Sequence, residues 1–153
     1  MSNLIDNIVI DKEKKGSYLV GLQDGNKIVD IVFTSPIVRT PFGIENFKNK
    51  QVINVEFTGK DHDNEVFNFY SYLKSTEETI RDNIVLEDID VSELDFVSSI
   101  KQTGKFDPMI RVNINDDSEI PYDGCPKNTK ILALIKLKKI WTWNNRWGIY
   151  WEI

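Results

Sequence analysis

The sequence predicts a mainly β fold with one or two helices, bent into a small barrel or a strongly curved sheet and closed by a C-terminal β-hairpin. Three observations carry that expectation. Apolar and polar residues alternate over positions 51–57 and again over 109–114, the period of half-buried strands. After Asp63 the apolar spacing becomes helical. Near the end, a long β-prone run over 130–143 meets the turn-forming pair Asn144-Asn145 and a returning run over 146–153.

In chain order, residues 1–27 are polar and punctuated by Gly16, Gly21 and Gly25, which reads as a peripheral N-terminal extension with a short strand near Tyr18–Leu22. Residues 27–34 are rich in β-branched side chains and read as a strand. Pro36 and Pro41 flank a short extended piece, and Gly43 marks a turn. Val66, Phe69, Tyr70, Leu73, Ile80 and Ile84 then fall at helical spacing. Asp63 or Asn64 can cap that helix, which is expected over about 64–81 with Thr76-Glu77 interrupting its apolar stripe. Leu94, Val97 and Ile100 recur every three residues and predict a second short helix over 92–100.

The chain of 153 residues fits one domain, and a hydrophobic fraction of 41% with 28% charged residues can build a core. No apolar run approaches the ~20 residues of a membrane span, and the start, Met1-Ser2-Asn3-Leu4, lacks a secretory pattern. An intracellular protein without a membrane partner is the expectation. Cys125 and His62 are each the sole residue of their kind, so an intramolecular disulfide and zinc sites built on several Cys and His are excluded by count. Cys125 lies among turn formers, Pro121-Tyr122-Asp123-Gly124-Cys125-Pro126, where an inert loop cysteine is the expectation.

Charge is uneven along the chain. The formal net charge is −5, but Glu77 to Asp95 holds eight acidic residues against Arg81 alone. Lys127 to Ile153 holds six basic residues against Glu152 alone. A polyanion feels the local field, so the acidic total leaves a nucleic-acid face open.

Several catalytic signatures are absent: no phosphate-binding Gly-rich loop, no dinucleotide fingerprint and no nucleophile elbow. Glu87-Asp88-x-Asp90 resembles a carboxylate cluster but lacks the spacing of a calcium loop, and a solvated acidic loop explains it. Neither an enzyme nor a cofactor or metal is expected.

The terminal hairpin is the positive signal. With Asn144-Asn145 as a two-residue turn, Trp143 lies opposite Arg146, Trp141 opposite Gly148 and Lys139 opposite Tyr150. Alternation then puts Lys139, Trp141, Trp143, Arg146 and Tyr150 on one face, with Gly148 leaving the Trp141 ring open on one side. Ile140, Trp147, Ile149, Trp151 and Ile153 lie on the other, core-like face, together with Lys136 and Lys138. A three-residue loop would instead pair Trp143 with Trp147 and mix the faces. Flat rings among cations suit single-stranded nucleic acid, because bases stack on the rings while Lys and Arg neutralise phosphates. Tryptophan and tyrosine also fill cores and protein interfaces, so that role stays open.

Thr40-Pro41-Phe42-Gly43-Ile44, then Phe106-Asp107-Pro108-Met109-Ile110-Arg111-Val112, then Ile140-Trp141 with Trp147-Gly148-Ile149-Tyr150-Trp151, occur in this order. Together they resemble the small single-stranded DNA-binding proteins of nucleocytoplasmic large DNA viruses, over about residues 28–153. That resemblance implies an OB-fold, a five-stranded barrel, and sequence-tolerant binding of single-stranded DNA in viral replication or repair, in the host cytoplasm or nucleus. Such binders often end in an acidic recruiting tail, whereas here the acidic segment is internal. By position Arg39, Phe42 and Arg111 are added to the expected nucleic-acid contacts.

The expected partner is therefore single-stranded DNA, with RNA as its alternative and with replication proteins or a homo-oligomer as further partners. A second reading makes the aromatic hairpin a protein–protein interface of a structural or adaptor protein. A third is a divalent-metal nuclease built on the acidic segment.

Overall fold

The computed structural model describes residues 6–102, 104–115, 117, 118, 120 and 124–153. Within them the strands are β1 (Ile8–Lys14), β2 (Ser17–Asp24), β3 (Lys27–Val29), β4 (Ile31–Thr34), β5 (Val38–Thr40), β6 (Ile44–Phe47) and β7 (Lys50–Glu56). After helix α1 (Asn64–Asn83) follow β8 (Asp95–Val97), β9 (Ile100–Lys101), β10 (Met109–Ile114), β11 (Thr129–Ile131), β12 (Leu134–Trp143) and β13 (Arg146–Glu152). The mainly β class agrees with the sequence. The five-stranded closed barrel does not: all thirteen strands join one sheet in the order β1-β2-β12-β13-β10-β7-β5-β11, a path with two ends, with short strands paired at its sides.

Residues 8–24, which the sequence sets apart as peripheral, are part of that sheet. β1 and β2 form a hairpin, and β2 pairs with β12 at Leu19, Tyr18 and Ser17. Tyr18 and Val20 belong to the core. The polar appearance of this stretch comes from β1, whose second half is exposed.

Helix α1 begins where Asp63 can cap it: the carboxylate accepts from the Glu65 and Val66 N–H groups at 2.9 and 3.3 Å. Val66, Phe69, Leu73, Thr76, Glu77 and Ile80 form its buried side. Phe69 and Tyr70 pack on Phe57 at 5.6 and 4.9 Å between ring centroids. Thr76 and Glu77, which interrupt the apolar stripe, are buried too: the Thr76 hydroxyl donates to the Tyr72 carbonyl at 2.8 Å. The Glu77 carboxylate accepts from the Ser98 hydroxyl and from the Ser99 N–H, the latter at 3.1 Å.

The second helix expected over 92–100 is replaced by a single 3-10 turn, Val91–Glu93, followed by β8 and β9. β8 pairs in parallel with β13, Phe96 beside Trp147, and this non-local pairing overrides the local three-residue spacing. Other long runs break into two: Asp30 separates β3 from β4, and Leu132-Ala133 separates β11 from β12.

The core lies between α1 and the inner face of the central strands. Ile135, Leu137 and Ile140 of β12, Trp147 and Trp151 of β13, and Phe57 are buried there. Trp147 meets Phe96 edge-on at 4.8 Å and Trp151 meets Phe33 at 5.8 Å.

Candidate functional site

Two tight hairpins stand on the outer face of this sheet. In the terminal one, Asn144 and Asn145 both take positive φ, 49° and 62°, and Trp143 pairs directly with Arg146. Both central residues at positive φ define the type I′ turn, whose twist matches that of the strands it joins. Asparagine tolerates this conformation better than other non-glycine residues. The same geometry recurs between β6 and β7. There Lys48 and Asn49 have φ of 49° and 66°, and Phe47 pairs with Lys50. Each tip therefore presents an aromatic ring beside a cation.

Between the tips runs a groove of about 500 Å³. One wall is Trp141, Trp143, Arg146 and Tyr150 of the terminal hairpin, and the other is Phe47, Lys48 and Lys50 of β6–β7. Arg111 of β10 lies on the floor, and Ser98, Ser99 and Lys101 extend from β8 and β9. The groove thus gathers five cations and four aromatic rings, and among the described residues no Asp or Glu lines it. Among the described residues none of the five cations forms an ion pair with a carboxylate, whereas seven of the fourteen outside it do: Lys12, Arg39, Lys60, Arg81, Lys136, Lys138 and Lys139. Removing those five from a chain of formal charge −5 leaves −10 for the remainder, so the groove is a basic exception on an acidic molecule.

The rings differ in how they are held. Trp143 is 65% exposed and Phe47 45%. Arg111 places its guanidinium carbon 4.8 Å from the centre of the Phe47 ring, with the Lys48 ammonium at 5.3 Å. Tyr150 lies between the ammonium groups of Lys139 and Lys50, at 5.7 and 5.9 Å. Burial, then the Glu152 carboxylate, raise the Tyr150 phenol above its ordinary pKa. Trp141 is not left open on one side by Gly148; it lies down on it. A Cβ at Gly148 would stand 2.8 and 2.9 Å from indole carbons of Trp141 and 2.9 Å from the Val97 carbonyl oxygen. Only glycine leaves room for that seat.

The eight positions named from sequence therefore separate into three groups. Trp141, Trp143, Arg146, Tyr150 and Arg111 line the groove. Lys139 stands at its edge over Tyr150 and donates to Glu13 at 3.1 Å, which holds the Glu13 carboxyl below its usual range. Arg39 and Phe42 lie elsewhere. The Arg39 guanidinium donates twice to Glu56, at 3.1 and 3.2 Å, and Glu56 is only 1% exposed. A buried carboxylate left without that partner is strongly destabilising, so Arg39 is committed to folding. Phe42 packs edge-on against Phe106 at 5.3 Å. Phe47, Lys48, Lys50 and Lys101 are the groove residues that sequence reasoning missed. The Lys48-Asn49 pair, between two runs that pair in register, was the available turn signal.

The carboxylates of four of the eight acidic residues of segment 77–95 have hydrogen-bond or ion-pair partners among the described residues. Glu77 holds the Ser98-Ser99 turn, and Asp82 pairs with Arg81 at 2.9 Å. Asp88 binds Lys12 at 2.5 Å and accepts from the Tyr18 hydroxyl at 2.7 Å. Burial and that carboxylate push the Tyr18 phenol up to about 12. Asp90 caps the 3-10 turn through the Ser92 N–H at 3.0 Å. Among the described residues no three His, Cys, Asp or Glu side chains converge on a point that could hold a metal ion. Cys125 is buried, and its carbonyl accepts from the Ile44 N–H at 3.0 Å; Pro121, Tyr122 and Asp123 of the same turn lie outside the described residues. No helix among the described residues is long and apolar enough to cross a membrane.

Comparison with protein-family models, with curated proteins and with solved structures gives no match to this chain.

Proposed function

We propose that the groove holds single-stranded nucleic acid, DNA in the first place, without reading its sequence. One observation carries the reading: cations and aromatic rings gather in one groove that no Asp or Glu lines among the described residues, on an otherwise acidic chain. Bases stack on Trp143, Trp141 and Phe47, each such contact contributing about 1–3 kcal/mol. Lys48, Lys50, Lys101, Arg111 and Arg146 neutralise phosphates and release counterions. Stacking serves any base, which is why sequence tolerance goes with this chemistry.

A closed barrel is not required, since an open curved face presents rings and cations equally well. The role implied by the viral resemblance, coating exposed single strands during replication or repair, belongs to the same proposal, and no catalytic step is part of it. The competing reading, a protein interface, is disfavoured by Lys48, Lys50 and Lys101, because lysine is depleted at interface cores.

The test is a tryptophan fluorescence titration with dT, dA and rU oligomers at two salt concentrations. Quenching is expected with all, tightest for DNA. Affinity should fall with salt at a log–log slope of about −0.7 per phosphate neutralised. Unchanged fluorescence together with an unchanged elution volume on gel filtration with oligonucleotide would overturn the proposal.

A further inference from the structure

Alternation alone places Lys136 and Lys138 on the core side of the terminal hairpin, and the structure places Lys136 on the outer face. The device is a bulge in β12. Leu137 pairs with Trp151 and Lys139 with Tyr150, so β12 carries one residue more than β13 at Lys138. The extra residue shifts the alternation. Lys136 falls opposite Glu152, two positions along β13 from Tyr150 and so on the face of Tyr150 and Lys139. Leu137 on one side of the bulge and Ile140 on the other both stay buried.

The result is a row of Lys136, Lys138 and Lys139 that begins where Lys139 covers the groove ring Tyr150. Its counter-ions lie at the surface. Asp30 faces both Lys136 and Lys138, at 3.6 and 3.5 Å, so one carboxylate serves two ammonium groups. Glu13 holds Lys139. All five side chains remain between about a quarter and a half exposed, and ion pairs in such positions contribute little to stability. Glu152, opposite Lys136 and on the same face, is 9% exposed and forms no ion pair with this row among the described residues.

We propose that a bound single strand leaves the groove at Tyr150 and continues along β12 over Lys139, Lys138 and Lys136, its phosphates displacing Asp30 and Glu13. In the free protein those two carboxylates occupy the places that phosphates take in the complex. The inference rests on the groove reading above and lengthens the site it describes.

The test uses the full chain and oligo(dT) of two lengths, about 5 and about 20 nucleotides, at the lower end of and beyond the site sizes of single binding folds. In the double variant Lys136→Ala, Lys138→Ala, the long oligomer should bind roughly tenfold more weakly. Its salt slope should be smaller by about 1.4, the value for two phosphates on a single strand. The short oligomer should bind as it does to the wild type. Asp30→Asn should tighten the long oligomer severalfold, whereas Asp82→Asn, which removes a carboxylate paired on α1, should not. Equal effects on both lengths, no effect on either, or equal tightening by Asp30→Asn and Asp82→Asn would each overturn the extended path and leave the groove standing. If the wild type binds neither oligomer, the groove reading falls and the path with it.

Discussion

The terminal hairpin carries four indoles, two on each face, and the two pairs have opposite surroundings. Trp147 and Trp151 are 2% and 0% exposed and each meets another ring edge-on. Trp141 and Trp143 stand among Arg111, Arg146, Lys50 and Lys101 on the far side of the same strands. Identical side chains in neighbouring positions thus do different work, and the strand's two-residue period decides which. The inner pair builds the core. The outer pair keeps apolar surface, most of it on Trp143, beside cations that form no ion pair among the described residues, and this is the surface the proposed single strand would meet.

The comparison is broken most directly by truncating one ring from each pair. Trp151→Ala should cost about 3–5 kcal/mol of stability, the range for large aromatic residues removed from a core, read as a drop in the denaturation midpoint. Trp143→Ala should leave that midpoint nearly unchanged and weaken binding of oligo(dT) by about 1–3 kcal/mol, roughly 5- to 150-fold. A large loss of stability from Trp143→Ala would show that the outer ring is structural after all.

Gly148→Ala sharpens the comparison from the backbone. It adds a methyl group where Trp141 rests, so the indole must lift off its seat. A stability loss of about 1–3 kcal/mol is expected, as for other overpacked sites, with a blue or red shift of the tryptophan emission reporting the displaced ring. Emission identical to that of the wild type would mean that Trp141 is not seated there.

Lys48→Gly separates folding from binding at the opposite tip. Lysine at φ 49° is strained by about 1 kcal/mol relative to glycine, so the substitution should hold or raise the denaturation midpoint while binding weakens and its salt slope shrinks by about 0.7. Unaltered salt dependence would remove Lys48 from the phosphate contacts.

The smallest effect is expected at Glu77. Burial raises its carboxyl above the usual range, although the Ser98 and Ser99 donors act the other way. The folded state then holds the proton more tightly than the unfolded chain. This group's contribution is fully present below the ordinary glutamate value of about 4.3 and is lost as pH rises through the higher folded value. Glu77→Gln should flatten that decline, measured by urea denaturation at about pH 4 and about pH 7. An unaltered pH profile would show that Glu77 ionises normally in the fold.

What the sequence made legible followed local rules. The Asn144-Asn145 turn and strict alternation place Trp143 on Arg146, Trp141 on Gly148 and Lys139 on Tyr150, and the register has all three pairs. Asp63 caps α1 as its position suggests. What stayed hidden depended on partners distant in the chain. β8 is a strand because β13 lies beside it, and Arg39 is held by an ion pair because Glu56 is buried within its reach. The bulge at Lys138 inverts the expected facing of Lys136, since no local residue choice marks it. The tip at Lys48-Asn49 carries a weak local signal because lysine is a poor turn former at positive φ.

The order of the groove's parts along the chain has a consequence for synthesis. Its floor and one wall come from residues 47–54 and 97–113, while the rings of Trp141, Trp143 and Tyr150 come from a hairpin that leaves the ribosome after all of these. The same hairpin supplies two buried indoles to the core. A nascent chain therefore acquires its main packing partner and its aromatic wall together. Four of the five groove cations, Lys48, Lys50, Lys101 and Arg111, are thus made before the rings that face them.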